Sequence, residues 1–256
     1  MREKKTAAII LHDADVFDAD RSYLLFTREF GKVWARARGV RRTTSRLTGH
    51  LLAYVPTMLE LVEAGNSYLI VQAQVIGGQS AAQYPEHTLL FLQFAEILSE
   101  AVDKLFVERE AHPEVYDGLI YTLDCIHSRC AESNPDPIRL QLIVAELLFK
   151  MLTVLGYQPE LSHCAVTGDA LDQHWVGWSS VIGGVVCERA PQTSQFPFLR
   201  LDHPKTVVVL RQFARPEFIS DRLSADEAVC KETAKVVFDY LQTQIGKPLK
   251  SVRFVE

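Results

Sequence analysis

From residue 5 to 79, apolar and polar side chains alternate in short runs. From Pro85 onward the repeat lengthens to about 3.6 residues. The alternating part predicts strands at Thr6–His12, Ser22–Phe30, Lys32–Gly39, Leu51–Val62 and Tyr68–Ile76. Between them lie an acidic turn (Asp13–Asp20), a tight turn at Gly31-Lys32, a polar loop (Arg41–Gly49) and a turn at Glu63–Ser67. Five strands with short hairpins and one longer loop after the third suit a small closed barrel of OB type. Gly77-Gly78 ends the alternation, which places a domain boundary there, with domains 1–79 and 80–256.

The second part reads as mostly helical. Helices are expected over Thr88–Val107 and Val115–Cys130, then from Asn134-Pro135 to Leu155, with Asn as N-cap and Pro in the first turn. Leu140, Ile143, Val144, Leu147, Leu148, Met151 and Leu155 leave that third helix apolar almost all round, as for a helix packed on several sides. Gly156 supplies its stop. Residues 160–200, rich in Gly, Ser and Cys, are expected to be irregular. Pro204–Phe213 is a short apolar stretch of helical pattern. Ser224–Glu227 matches a capping box before a helix to about Ile245, which ends at Gly246-Lys247-Pro248. The fold class is therefore α+β: a five-stranded OB barrel, then a mostly α-helical domain with an irregular cysteine-containing insertion.

Composition changes this picture little. The chain has 256 residues, 48% apolar and 23% charged, ordinary for a folded two-domain protein. No run of about 18 apolar residues predicts a membrane helix, and the charged start Met1-Arg2-Glu3-Lys4-Lys5 is unlike a signal peptide. Five cysteines at irregular spacings favour reduced thiols in a cytoplasm over a disulfide framework.

Charge changes it more. The net charge is −5, which argues against a polyanionic partner until its distribution is read. Residues 1–80 carry eleven Lys/Arg against eight Asp/Glu, and residues 28–46 carry seven basic residues against the single acid Glu29. Such a local field attracts a polyanion whatever the net charge. In Lys32-Val33-Trp34-Ala35-Arg36-Ala37-Arg38-Gly39, alternation puts Val33, Ala35, Ala37 and Gly39 on one small apolar face for the barrel interior. Lys32, Trp34, Arg36 and Arg38 share the other face, about 7 Å apart along the strand. Cations neutralise successive phosphates, and an exposed ring gives an unpaired base a stacking surface. Arg41, Arg42 and Arg46 continue the stripe into the loop, where Thr43, Thr44 and Ser45 add hydroxyls. The alternative is that Trp34 folds over a neighbouring strand and the arginines pair with acids.

The acidic turn Asp13-Ala14-Asp15-Val16-Phe17-Asp18-Ala19-Asp20 raises a divalent-ion site, and with it a metal-dependent nuclease. It lacks the glycine and terminal glutamate of an EF-hand loop, and aspartates favour turns in any case. Cys125, His127 and Cys130 do not converge on one helical face. No phosphate loop, nucleophile elbow or His-Glu-x-x-His occurs, and no residue is singled out as catalytic. An OB-type RNA-binding or ribosome-associated module is the other alternative.

Ala8-Ile9-Ile10-Leu11, Asp20-Arg21 and Leu25-Phe26-Thr27-Arg28-Glu29-Phe30-Gly31-Lys32 resemble the opening of RecO proteins. Ala37-Arg38-Gly39-Val40-Arg41-Arg42 and Ser45-Arg46-Leu47-Thr48-Gly49-His50-Leu51 resemble the basic loop that follows there. Leu155-Gly156-Tyr157-Gln158-Pro159-Glu160-Leu161 with Cys164, and Gly246-Lys247-Pro248-Leu249-Lys250-Ser251, are similar to later parts of the family. The resemblance implies a DNA repair and recombination mediator rather than an enzyme. Such a protein binds single- and double-stranded DNA, anneals complementary strands, helps load RecA with RecR, and engages the acidic C-terminal tail of single-strand binding protein. Carried onto this chain, the DNA face is Lys32, Trp34, Arg36, Arg38, Arg41, Arg42 and Arg46, with Arg28 as a neighbour. Arg139 and Lys150, flanking the apolar third helix, are the candidates for the tail. Many family members carry two Cys-x-x-Cys pairs around residues 160–190, a zinc arrangement. Here the pairs read Cys164-Ala165-Val166-Thr167 and Cys187-Glu188-Arg189-Ala190, each without its second thiol, so no cofactor is expected. His163 and His174 could in principle complete such a site.

Overall fold

The computed structural model describes residues 3–76, 88–171, 175–191 and 197–254. The chain divides into two compact units, Met1–Ala131 and Glu132–Glu256.

In the first unit, β1 (Glu3–Val16), β2 (Asp20–Thr27), β3 (Gly31–Ala37), β4 (Thr57–Ala64) and β5 (Ser67–Val75) close a barrel in the order β1-β2-β3-β5-β4. All neighbours are antiparallel except β3 and β5, which run parallel, with Arg36 opposite Leu69. This is the OB topology. One strand serves two partners: β1 pairs with β4 from Glu3 to Ala8 and with β2 from Ala8 to Val16, with a register shift between Ile10 and His12. Such a shift bends and twists a strand, which closure of so small a barrel requires. Ala8, Ile10, Leu25, Val33, Ala35, Ala37, Leu59, Leu61 and Ile70 fill the interior. Val33, Ala35 and Ala37 are buried as their alternation predicts. Gly39 is not part of that interior; it is a half-exposed turn residue with φ of 63°.

Gly31 opens β3 with φ of 65°, and a Cβ there would lie 1.8 Å from the Glu110 carbonyl oxygen, so this position needs glycine twice over. Its neighbour Lys32 accepts a backbone bond from Arg109 (2.8 Å). α1 (Thr88–Leu105) and α2 (Pro113–Cys130) belong to this unit, and Ser99 of α1 donates to the Leu11 carbonyl (2.9 Å).

The second unit is built on α3 (Pro137–Val154), whose buried positions include Leu140, Ile143, Val144, Leu147, Leu148 and Met151. α5 (Glu227–Ile245) and α4 (Lys205–Phe213) pack on it. Buried Glu146 accepts the N–H groups of Ile219 and Ser220 and so holds the chain after α4.

Several expected boundaries move. The acidic segment is not a turn: β1 runs to Val16, and only residues 17–19 turn, with Phe17 at φ of 64°. Residues 51–56 form no long strand; Tyr54 sits at φ of 63° and β4 starts at Thr57. The third helix starts two residues late, at the second X-Pro step, with Asp136 as N-cap accepting from Ile138. At α5 the N-cap is Asp226, without a side-chain bond, rather than Ser224. Residues 160–200 are more regular than expected, since β6 (Trp175–Ser179), β7 (Gly184–Cys187) and β8 (Leu199–Arg200) make a sheet in the order β7-β6-β8. Trp178, fully buried, packs edge-on to Tyr240 of α5 (5.4 Å between centroids). The Gly77-Gly78 boundary, Pro85 and His174 lie outside the described residues.

Candidate nucleic-acid interface

The β2–β3 hairpin fixes the face. Register pairs Trp34 with Leu24 and Arg36 with Ser22, so both β3 side chains stand on the outer surface opposite the buried alanines. Trp34 is 36% exposed, a large ring turned to solvent. Arg36 is half-buried and donates through Nε (2.9 Å) and Nη2 (2.5 Å) to Asp20. Asp20 also accepts the Gly39 N–H (2.7 Å). That backbone donor first, and then the Arg36 guanidinium, hold the Asp20 carboxyl below its ordinary range. Asp20 therefore ties the end of β3 and its turn to the start of β2.

Arg36 also stacks on Phe17, with the guanidinium 4.6 Å from the ring centroid. Phe17 is 71% exposed, which gives the face a second aromatic ring. The sequence reading missed it, because an aromatic among aspartates was absorbed into a turn. Arg41 pairs with Asp15 (3.2 Å), and its backbone N–H bonds to the Ala19 carbonyl, so the basic loop is anchored to the β1–β2 hairpin. Arg21 pairs with both Asp13 (2.9 Å) and Asp15 (2.7 Å). Three of the four aspartates considered for a divalent ion, Asp13, Asp15 and Asp20, are thus paired with arginines.

Arg38, Arg42 and Arg46 are exposed and form no ion pair among the described residues. Thr43 and Thr44 are exposed beside them, while Ser45 accepts from the Leu47 N–H. Phe17, Trp34 and Arg36 thus share the outer side of the hairpins, and Arg38, Arg41, Arg42 and Arg46 are exposed in the turn and loop that follow β3.

Two expected members stand elsewhere. Lys32 is not on the exposed stripe: it is 7% exposed, and its Nζ donates to the Asp103 carbonyl (2.5 Å) and carboxylate (3.1 Å) in α1. Alternation placed it correctly outside the barrel, but α1 covers that end of the strand. Arg28 makes a two-pronged pair with Asp117 of α2 (2.8 and 2.9 Å).

Two family models match this chain, "Recombination protein O N terminal" over residues 1–79 and "Recombination protein O C terminal" over residues 87–253. The chain belongs to the RecO family. It is similar to the "DNA repair protein RecO" of Caldanaerobacter subterraneus subsp. tengcongensis, 27% identical over 99% of this chain and 98% of that one. The corresponding proteins of Cutibacterium acnes and a Nocardioides species are 28% and 29% identical, each over 97% of both chains. These relatives are named for DNA repair and not for a catalysed reaction. Among the described residues, no helix is long and apolar enough to cross a membrane.

The remaining RecO-type expectations concern the second unit. Arg139 and Lys150 are not open cations. Arg139 donates to the Ser220 (3.2 Å) and Leu223 (2.6 Å) carbonyls. Lys150 donates to the carbonyls of Phe213 (3.1 Å), Arg215 and Glu217 (3.1 Å), and lies 4.9 Å from the Phe218 ring. Both brace the segment between α4 and α5, and burial lowers the Lys150 ammonium from its usual value.

Cys164 and Cys187 lie close, since the Cys187 N–H donates to Cys164 Sγ (3.3 Å), but Thr167 and Ala190 occupy the other two corners. No group of three His, Cys, Asp or Glu side chains suited to a metal occurs among the described residues, and a closed structural site needs four ligands. Cys125 and Cys130 form no such group with His127 either.

Proposed function

We propose that this RecO-family chain binds single- and double-stranded DNA through the outer face of β3 and the loop after it, anneals complementary strands, and helps RecR load RecA onto DNA coated with single-strand binding protein. The observation that carries this reading is the exposed Trp34 on the outer face of β3, followed along the chain by three exposed arginines, Arg38, Arg42 and Arg46, that form no ion pair among the described residues. Unpaired surface cations next to a solvent-facing ring suit a strand with both phosphates and unstacked bases. Arg36 and Arg41, although paired, contribute guanidinium groups that phosphate can share. The carboxylates of residues 13–20 do not support a nuclease, because arginines already neutralise Asp13, Asp15 and Asp20.

The acidic tail of single-strand binding protein needs a cation beside an apolar slot. Arg139 and Lys150 are occupied internally, but a cleft of about 260 Å³ carries Lys235 beside Phe238 and Val252, with Lys231 paired to Glu227 (2.8 Å) and the Asp239 carboxylate, which accepts from Ser180, also on its lining. Lys235 is exposed and has no ion-pair partner among the described residues. We place the tail there. RecR, RecA and a cytoplasmic setting come with the family.

The test is strand annealing on complementary oligonucleotides coated with single-strand binding protein. The parent should anneal them. Arg38→Glu/Arg42→Glu should lose at least tenfold in rate, the cost of about 1.4 kcal/mol of transition-state binding. Equal annealing by parent and variant, or preference for structured RNA over single-stranded DNA at matched salt, overturns the reading.

A further inference from the structure

The cysteine-bearing loop keeps the frame of a four-cornered metal finger, with only two of its corners sulfur. The first corner, Cys164, is 2% exposed. Its Sγ accepts the N–H of Thr167 (3.4 Å) and of Cys187 (3.3 Å). Its own N–H and carbonyl close a tight turn, bonding to the Asp169 carbonyl (2.7 Å) and the Gly168 N–H (2.8 Å). The second corner is Thr167, whose hydroxyl lies 3.6 Å from Cys187 Sγ and 3.1 Å from the Asp169 carboxylate. The third, Cys187, ends β7, and its carbonyl accepts the N–H of Ala190, the fourth (3.0 Å). Each half therefore turns so that residues three apart face one centre.

That centre is apolar. Cys164, Val186 and Ala190 form a buried cluster, with Val166, Leu171, Cys187 and Phe198 packed on it. Two peptide N–H groups satisfy the Cys164 sulfur, a role a metal ion otherwise shares. Burial pushes this thiol up, yet the Thr167 hydroxyl and the backbone donors outweigh it and bring it down to about 7. The Asp169 carboxylate is engaged by Thr167 and by Arg189 (3.6 Å). His163 pairs with Glu160 (3.8 Å).

We propose that the described residues 160–171 and 175–190 form a finger without a metal, in which N–H···S bonds and packing around the Ala190 methyl replace the ion, and that placing two thiols at Thr167 and Ala190 is sufficient to turn it into a tetrahedral zinc site. A metal-dependent finger unfolds when its ion is chelated, because binding free energy is its folding free energy. This one is independent of zinc supply.

Two measurements on the full-length protein decide it. Protein expressed in zinc-supplemented medium should hold less than about 0.1 equivalents of zinc by elemental analysis, and its Tm should not move with EDTA. Thr167→Cys/Ala190→Cys should take up one equivalent of Co(II), with the ligand-field bands of a tetrahedral thiolate site, and its Tm should rise with added zinc. Stoichiometric zinc in the parent, lost in Cys164→Ser, overturns the proposal. So does a double variant that is folded by circular dichroism yet binds no Co(II). The parent's metal content tests the proposal even where the double variant fails to fold.

Discussion

Replacing Trp34 with alanine separates stacking from charge. The indole is about one-third exposed on the outer face of β3, while the barrel interior beneath is filled by Val33, Ala35 and Ala37. Removing it opens no cavity among those residues, so the loss of folding stability should stay near 1 kcal/mol, as for a partly exposed side chain. Base–aromatic stacking is worth about 1–3 kcal/mol per base, which converts to a roughly 5- to 150-fold rise in Kd for single-stranded DNA. No phosphate contact is lost, so the slope of log Kd against log salt should not change. Fluorescence anisotropy with a labelled oligothymidine across a potassium chloride series measures both terms, and a urea melt checks the fold. A Kd within twofold of the parent with the fold intact refutes the stacking role. A flattened slope would mean that the ring positions the arginines instead.

Asp20→Asn should release Arg36 toward phosphate and steepen the salt slope by about 0.7, read in the same titration. In the parent, the Asp20 carboxyl should titrate by NMR below the ordinary aspartate value. Because its folded value is depressed, its contribution to stability is complete above the ordinary carboxylate range and is lost as pH falls through the depressed value. Gly31→Ala should cost about 3 kcal/mol or more in a urea melt, since it adds left-handed strain and a backbone clash at 1.8 Å. Lys32→Ala should destabilise the fold by about 1–3 kcal/mol through loss of the Asp103 bonds while leaving the salt slope intact. A reduced slope there would return Lys32 to the DNA face.

The barrel was legible because its evidence is local. Alternation along Lys32–Ala37 states which side chains face in, and the structure keeps that division. What alternation cannot state is what covers the outer face. Lys32 is buried by Asp103, 71 positions away, and Arg28 is held by Asp117, 89 positions away. The aspartates of residues 13–20 read as turn formers, yet Asp13 and Asp15 are strand residues whose partner is Arg21 across the hairpin. Misplacing them also hid Phe17. The sheet of residues 175–200 escaped notice because its strands are two to five residues long and gain stability from each other and from Tyr240 rather than from their own pattern. Arg139 and Lys150 read as surface cations because their acceptors are backbone carbonyls, which leave no mark in a sequence.

The most direct test of the DNA face is the salt slope of Arg38→Gln/Arg42→Gln/Arg46→Gln on single-stranded DNA. These three guanidinium groups form no ion pair among the described residues, so the fold should persist. If each meets a phosphate, the slope should fall by about 2, at about 0.7 per contact on a single strand. A folded triple variant with the parent's slope would place the polyanion on another surface and contradict the account.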